Sequence, residues 1–290
     1  MVSMLRAEIG LARQAESDRG RPLAFLRSEL LTLFRRRRTV AMLGALALVP
    51  ILIAVAVRVT SAADSGRGPA FIGDITQNGL FVAFTALTVS IPIFLPLTVG
   101  VVSGDTIAGE ANLGTLRYLL IAPAGRLRLL LVKFVAAGIF AISATLAIVV
   151  AGVVIGVLLF PIRPVTLLSG DTIGAGDFAL RCLLMVGYVS LSLLGLTAIG
   201  LFISTLTTVP VGAMAATIVL AAASQIVDAL PQLSAIHPWL FTHYWFGFAD
   251  LLRNPISWDA YAQNGLLQLG YIVVFGALAY GRFATKDVLS

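Results

Sequence analysis

The feature that most limits what this chain can become is a series of long apolar runs, among them residues 40–57, 80–102 and 129–160. Each reaches the roughly 20 residues that a helix needs to cross hydrocarbon. Inside a bilayer every backbone N–H and C=O must be paired within the protein, and a helix achieves this within one segment. The alternating polar and apolar decads of a membrane barrel are absent. Composition points the same way: 59% of the 290 residues are hydrophobic, 12% are charged and mean hydropathy is +0.98, far from the soluble mixture. The sequence therefore predicts an all-α membrane protein.

In chain order, residues 1–21 are polar, lack the apolar core of a secretory signal and predict a mobile or loosely helical tail. Residues 22–38 are amphipathic, with Leu23, Leu26, Leu30, Leu33 and Phe34 on one face and Arg27, Glu29 and Arg35, Arg36, Arg37 and Arg38 around the rest. Such a helix lies at a membrane interface, where the four arginines meet anionic lipid headgroups. Six spans follow, at 40–57, 80–102, 129–160, 178–203, 209–227 and 266–280, so that residues 1–38 form a tail and interface helix and 39–290 the transmembrane domain. Pro92 and Pro96 should kink the second span. In the third, Gly152-x-x-x-Gly156 offers a close-packing face, and Lys133 is placed to snorkel to headgroups. A short turn at 204–208 separates spans four and five.

Residues 228–265 combine Trp239, Phe241, Tyr244, Trp245, Phe246, Phe248, Trp258 and Tyr261 with three prolines, a composition that predicts re-entrant or interfacial helices between spans five and six. His237 and His243 within it are expected as hydrogen-bonded interface residues, not metal ligands. The single cysteine, Cys182, excludes an internal disulfide or a multi-cysteine metal site and reads as a small packing residue.

Basic residues set the orientation. Fifteen of the 20 Lys and Arg lie in the N-terminal segment, the connection after span two and the C-terminus, and five lie on the other side. The termini and that connection are thus expected in the cytoplasm, with basic residues marking the inner face instead of a nucleic-acid partner.

The connection itself, residues 103–128, is the longest polar interruption closely flanked by apolar runs. Thr106 can cap a first helical piece, Asn112 and Gly114 interrupt it, Thr115 can cap a second, and Pro123 with Gly125 ends that. On the second piece Leu113, Leu116 and Leu120 share one face, and Glu110, Gly114 and Arg117 another. The pattern Asp105-x-Ile107-x-Gly109-Glu110, Gly114-Thr115-Leu116-Arg117, Leu119-Leu120, Pro123, Arg126 and Lys133 resembles the cytoplasmic loop of ABC-2 type permeases, the membrane subunits of a class of ABC exporters.

The resemblance implies that Glu110, Gly114, Thr115, Leu116, Arg117, Leu120 and Pro123 form the coupling segment, seated in a cleft of a separate ATPase. It implies two ATPase subunits, a second permease copy or a homologous permease, and a bacterial-type plasma (inner) membrane as the site of action. No phosphate loop G-x-x-x-x-G-K-[ST] and no catalytic or zinc-ligand spacing occurs, so the chain is expected to be non-catalytic, with ATP and magnesium held by the partner. The span centres carry no Asp, Glu, Lys, Arg or His, which weighs against a proton relay or a carboxylate ion site. Two other readings stay open at this stage: a secondary transporter or channel using carbonyls at the Pro92/Pro96 kink, and an ATPase-coupled mechanotransmitter that moves no substrate.

Overall fold

The computed structural model describes residues 24–63, 78–114, 125–161, 165–166 and 170–285. Residues 24–35 form α1, the amphipathic helix. After a bend at Arg36 the chain enters α2 (Arg37–Ala63), so the four-arginine run straddles the elbow between interface helix and first span. The second apolar run is broken: α3 (Phe81–Ser90) and α4 (Phe94–Asn112) meet at 56° around Pro92. Proline has no N–H to continue the ladder, and Gln225 Nε2 donates to the Pro92 carbonyl at 2.9 Å. Then come α5 (Arg126–Leu159), α6 (Ala175–Leu206), α7 (Pro210–Asp228) and α8 (Asp259–Thr285). Among the described residues five helices are long and apolar enough to cross a membrane, six if the bent pair counts as one span. The chain is an all-α multi-pass membrane protein whose described β-structure is one two-residue antiparallel ladder, Val165–Thr166 with Thr172–Ile173.

α6 is the central helix, packed against α4, α5, α7 and α8. Its Leu193, Leu196 and Ile199 join Phe140, Ala144 and Ile148 of α5 and Leu95 and Val99 of α4 in the main core. Cys182 belongs to the same cluster. The Gly152 and Gly156 face meets the turn and helix around α3 in register. A Cβ on Gly152 would sit 2.6 Å from the Ala83 Cα, and one on Gly156 2.0 Å from the Gly79 carbonyl oxygen. Only glycine permits so close a backbone approach.

Several helix ends lie beyond the expected boundaries. Thr106 caps nothing: α4 continues through it to Asn112, and its hydroxyl donates within the helix to the Ser103 carbonyl at 2.7 Å. Ser204 lies inside α6, not in a turn. The hydroxyl of Ser204 accepts from Ile107 N–H at 2.9 Å and Ala108 N–H at 2.8 Å and donates to the Gly104 carbonyl at 2.7 Å. That clamp, and the approach of Gly104 to Met214 backbone atoms, hold the end of α4 helical against α6 and α7.

The sixth span likewise begins early, so Asn264 is a buried helical residue and not part of an outer segment. Its amide donates to Ser192 Oγ at 2.7 Å and its carbonyl oxygen accepts from Gln268 at 3.1 Å. Between α7 and α8 the chain makes three 3₁₀ turns, Pro231–Leu233, His237–Trp239 and Gly247–Leu252. Arg181 of α6, buried although charged, donates to the carbonyls of Leu251 and Arg253 and so fastens the third turn. His243 Nδ1 lies 2.7 Å from Asp228, and His237 Nε2 lies 3.1 Å from the Leu230 carbonyl.

Candidate coupling site

At the end of the bundle where α1 lies, α4 and α5 are joined through residues 113–125. α4 stops where Gly114 takes a φ of +71°, a left-handed conformation that favours glycine and ends the helix. Leu113 beside it is 71% exposed. Glu110 and Gly114 are thus seen at the base of the connection. Thr115, Leu116, Arg117, Leu120 and Pro123, together with the short helix expected there, lie outside the described residues.

Directly beneath this base is a cluster of charge. Lys133, on the first turns of α5, is 1% exposed and does not snorkel. Its ammonium donates to Glu29 of α1 at 3.0 Å and, in a shorter contact, to Glu110 of α4. The reason is position: Lys133 faces α1 and α4, not lipid, and a buried ammonium must find anions. Next to it, Asp105 of α4 accepts from Arg36 at 3.1 Å and from Arg38. Three cations and three carboxylates thus line one cavity of about 30 Å³, floored by Leu33, Val102, Ala136 and Ala137. Such a space holds about one water.

The other base of the connection is anchored too. Arg126 Nη1 donates to the carbonyls of Phe283 at 2.8 Å and Ala284 at 2.5 Å, near the end of α8, where cations interact well with unpaired helix carbonyls. Below both anchors, Ile107, Leu129, Leu130, Leu201 and Phe283 form a separate apolar cluster that Phe25 of α1 packs against. The elements that meet here are α1, α4, α5, α6 and α8.

The arginine run divides in two: all four side chains are exposed, but Arg36 and Arg38 turn onto Asp105. Sequence reasoning missed Glu29 and Asp105 as site residues, and Ser204 as the clamp that positions them. One signal was available: a lysine at the start of an apolar run, with carboxylates close by in the preceding helix, needs pairing.

Residues 23–237 match the family described as ABC-2 family transporter protein. The chain belongs to this family. Membership makes it a membrane transport component of an ABC transporter, a permease and not the catalytic subunit. Among curated proteins, none matches the permease. The matched stretch includes α1, the charged cluster and the whole connection between α4 and α5, but ends at His237, before the second and third 3₁₀ turns and α8 are complete.

The permease has a second concavity, an apolar groove of about 620 Å³ between α8 and the 3₁₀ turns that precede it. Trp239, Tyr244, Leu267, Tyr271 and Phe275 line it, and among the described residues no charged side chain does.

Proposed function

We propose that this permease works in an exporter, moving its substrate outward across a bacterial-type plasma membrane by coupling to a separate ABC ATPase docked on residues 110–123. The observation that carries this reading is the construction of the α4–α5 connection: an exposed Leu113 at its α4 base, with both bases anchored by charge to other helices. A connection that only reversed the chain would need about 2–8 residues and no such anchoring. The distribution of basic residues supports cytoplasmic termini, which puts the connection on the side where ATP is available.

ATP and magnesium would be held by two ATPase subunits, and a second permease copy or a homologue would complete the pore. Nucleotide closure of the ATPases would displace the coupling segment and shift the spans between inward- and outward-facing states. That requires the segment to bind differently in the two states, since equal binding shifts nothing. The uncharged groove beside α8 favours an amphipathic or lipid-like substrate over a free ion.

The test is Leu120→Asp, with membrane yield, ATPase co-purification and ATP turnover as readouts. If Leu120 fills an apolar cleft, the substitution forfeits about 1.5–3 kcal/mol of burial and adds an unpaired charge, while insertion of the spans is unaffected. A variant that inserts, retains its ATPase and turns over ATP like the wild type would refute docking at this segment.

A further inference from the structure

The charged cluster does more than hold helices together, because charge is a poor way to do only that. Replacing a buried ion pair by apolar side chains is often neutral or stabilising, so stability alone does not explain a lysine at 1% exposure between two glutamates. Apolar anchorage of α1 exists besides: Phe25 packs against the cluster around Ile107 and Phe283, and Leu33 and Phe34 pack against the main core. What the ions add is connection at one atom. Lys133 Nζ joins α1, α4 and α5, and the Asp105 pair with Arg36 and Arg38 joins α4 to the elbow leading into α2. Long flexible side chains can keep such contacts while the helices move by a few ångström, where close-packed surfaces would lose theirs.

We propose that Glu29, Glu110 and Lys133 are positioning residues that make the interface helix α1, and through its elbow the first span, follow the base of the coupling segment when the ATPase moves it. This rests on the ATPase-driven reading above. Span one's other described links near that base are the contacts of Arg36 and Arg38 with Asp105; otherwise α2 packs chiefly on α5 and α3, with little contact to α4. Without the tie α1 would lag behind the second and third spans when ATP moves them.

Paired spin labels on the full transporter in lipid nanodiscs test this, with labelled permease diluted into unlabelled permease and Cys182 replaced by Ser. Leu31 on α1, Leu113 at the end of α4 and Val211 at the start of α7 are all well exposed. The Leu31–Val211 distance reports α1, and the Leu113–Val211 distance reports the coupling base. Trapping with ATP and vanadate should shift both in the wild type. In Glu29→Gln and in Lys133→Met the Leu113 shift should remain and the Leu31 shift should be lost, and Lys133→Arg should restore it.

Should Lys133→Met reduce membrane yield, Glu29→Gln carries the test alone, since Glu29 lies at the edge of the cluster and its side chain is 24% exposed. Leu31 shifts of wild-type size in Glu29→Gln overturn the tie and leave ATPase coupling intact. So does a wild-type complex in which Leu113 shifts and Leu31 does not. Absence of any shift at either position, with the ATPase bound and hydrolysing, overturns the coupling reading itself and the tie with it.

Discussion

Replacing Gly156 with Val tests the most tightly determined contact in the bundle. A Cβ there would stand 2.0 Å from the Gly79 carbonyl oxygen and 2.8 Å from its carbon, where real contacts essentially never fall below 3.0 Å. Both are backbone atoms, and Gly79 is itself held by its N–H to the Pro161 carbonyl at 3.2 Å, so no side chain can swing away. α5 and the segment before α3 would have to part by about 1 Å, which forfeits a quarter to a half of the dispersion energy at each displaced contact. Overpacking of this kind costs about 1–3 kcal/mol, with Val toward the upper end, and the helix-propensity gain over glycine returns only a few tenths.

For a chain of this length that corresponds to a fall in Tm of roughly 2–5 °C. Cys182, buried in the core and the chain's single cysteine, provides the readout: a thiol-reactive dye reports its exposure as the purified permease is heated. Gly44→Val is the matched control, because a Cβ on Gly44 meets nothing within 4 Å. If Gly156→Val melts within about 1 °C of both wild type and Gly44→Val, the close approach is wrong and the register of α3 on α5 falls with it.

Arg181→Met should free the 3₁₀ turn Gly247–Leu252, at a cost of about 1.5–3 kcal/mol for charged hydrogen bonds to two carbonyls, seen as faster limited proteolysis between residues 247 and 258. Gln225→Leu removes the donor that satisfies the Pro92 carbonyl and should lower stability by about 0.6–1.7 kcal/mol in the same thiol assay, with no change in membrane yield. For orientation, single cysteines at Leu113 and Trp258 in a Cys182→Ser background should differ: an impermeant thiol reagent added to intact cells should label the Trp258 position and not the Leu113 position, both being exposed.

The spans, the broken second run and the glycine face of α5 were readable because each follows from a local rule. Long apolar runs must be helical in lipid, proline deletes a hydrogen bond, and glycine four residues from glycine makes a flat face. Helix ends were harder to read, because in this protein they depend on distant partners. Asn264 has the look of a loop residue until Ser192 and Gln268 are seen beside it. Thr106 has the look of a cap until Ser204, nearly a hundred positions later, is found bonding the backbone of the same turn. Polarity in the sequence says that a residue needs a partner; whether the partner is water or another helix is a tertiary fact.

The charged cluster shows the same limit at the functional site. Lys133 alone reads as an interface lysine, and Arg36 and Arg38 read with Arg35 and Arg37 as one lipid-facing run. In the fold, three cations and three carboxylates from α1, the elbow, α4 and α5 converge on one cavity and cancel. Cancellation has a consequence for any variant. Lys133→Met removes the ammonium that Glu29 and Glu110 share, and breaking such a pair from one side costs about 3–5 kcal/mol, less where water reaches the glutamates. Neutralising all three together, Glu29→Gln and Glu110→Gln with Lys133→Met, removes the repulsion as well as the attraction and should recover most of that loss. If the cluster served stability alone, the triple variant would behave like the wild type in every assay. A triple variant that melts like the wild type, keeps its ATPase, and still loses the ATP-driven displacement of α1 would separate the two roles, and that is the result expected.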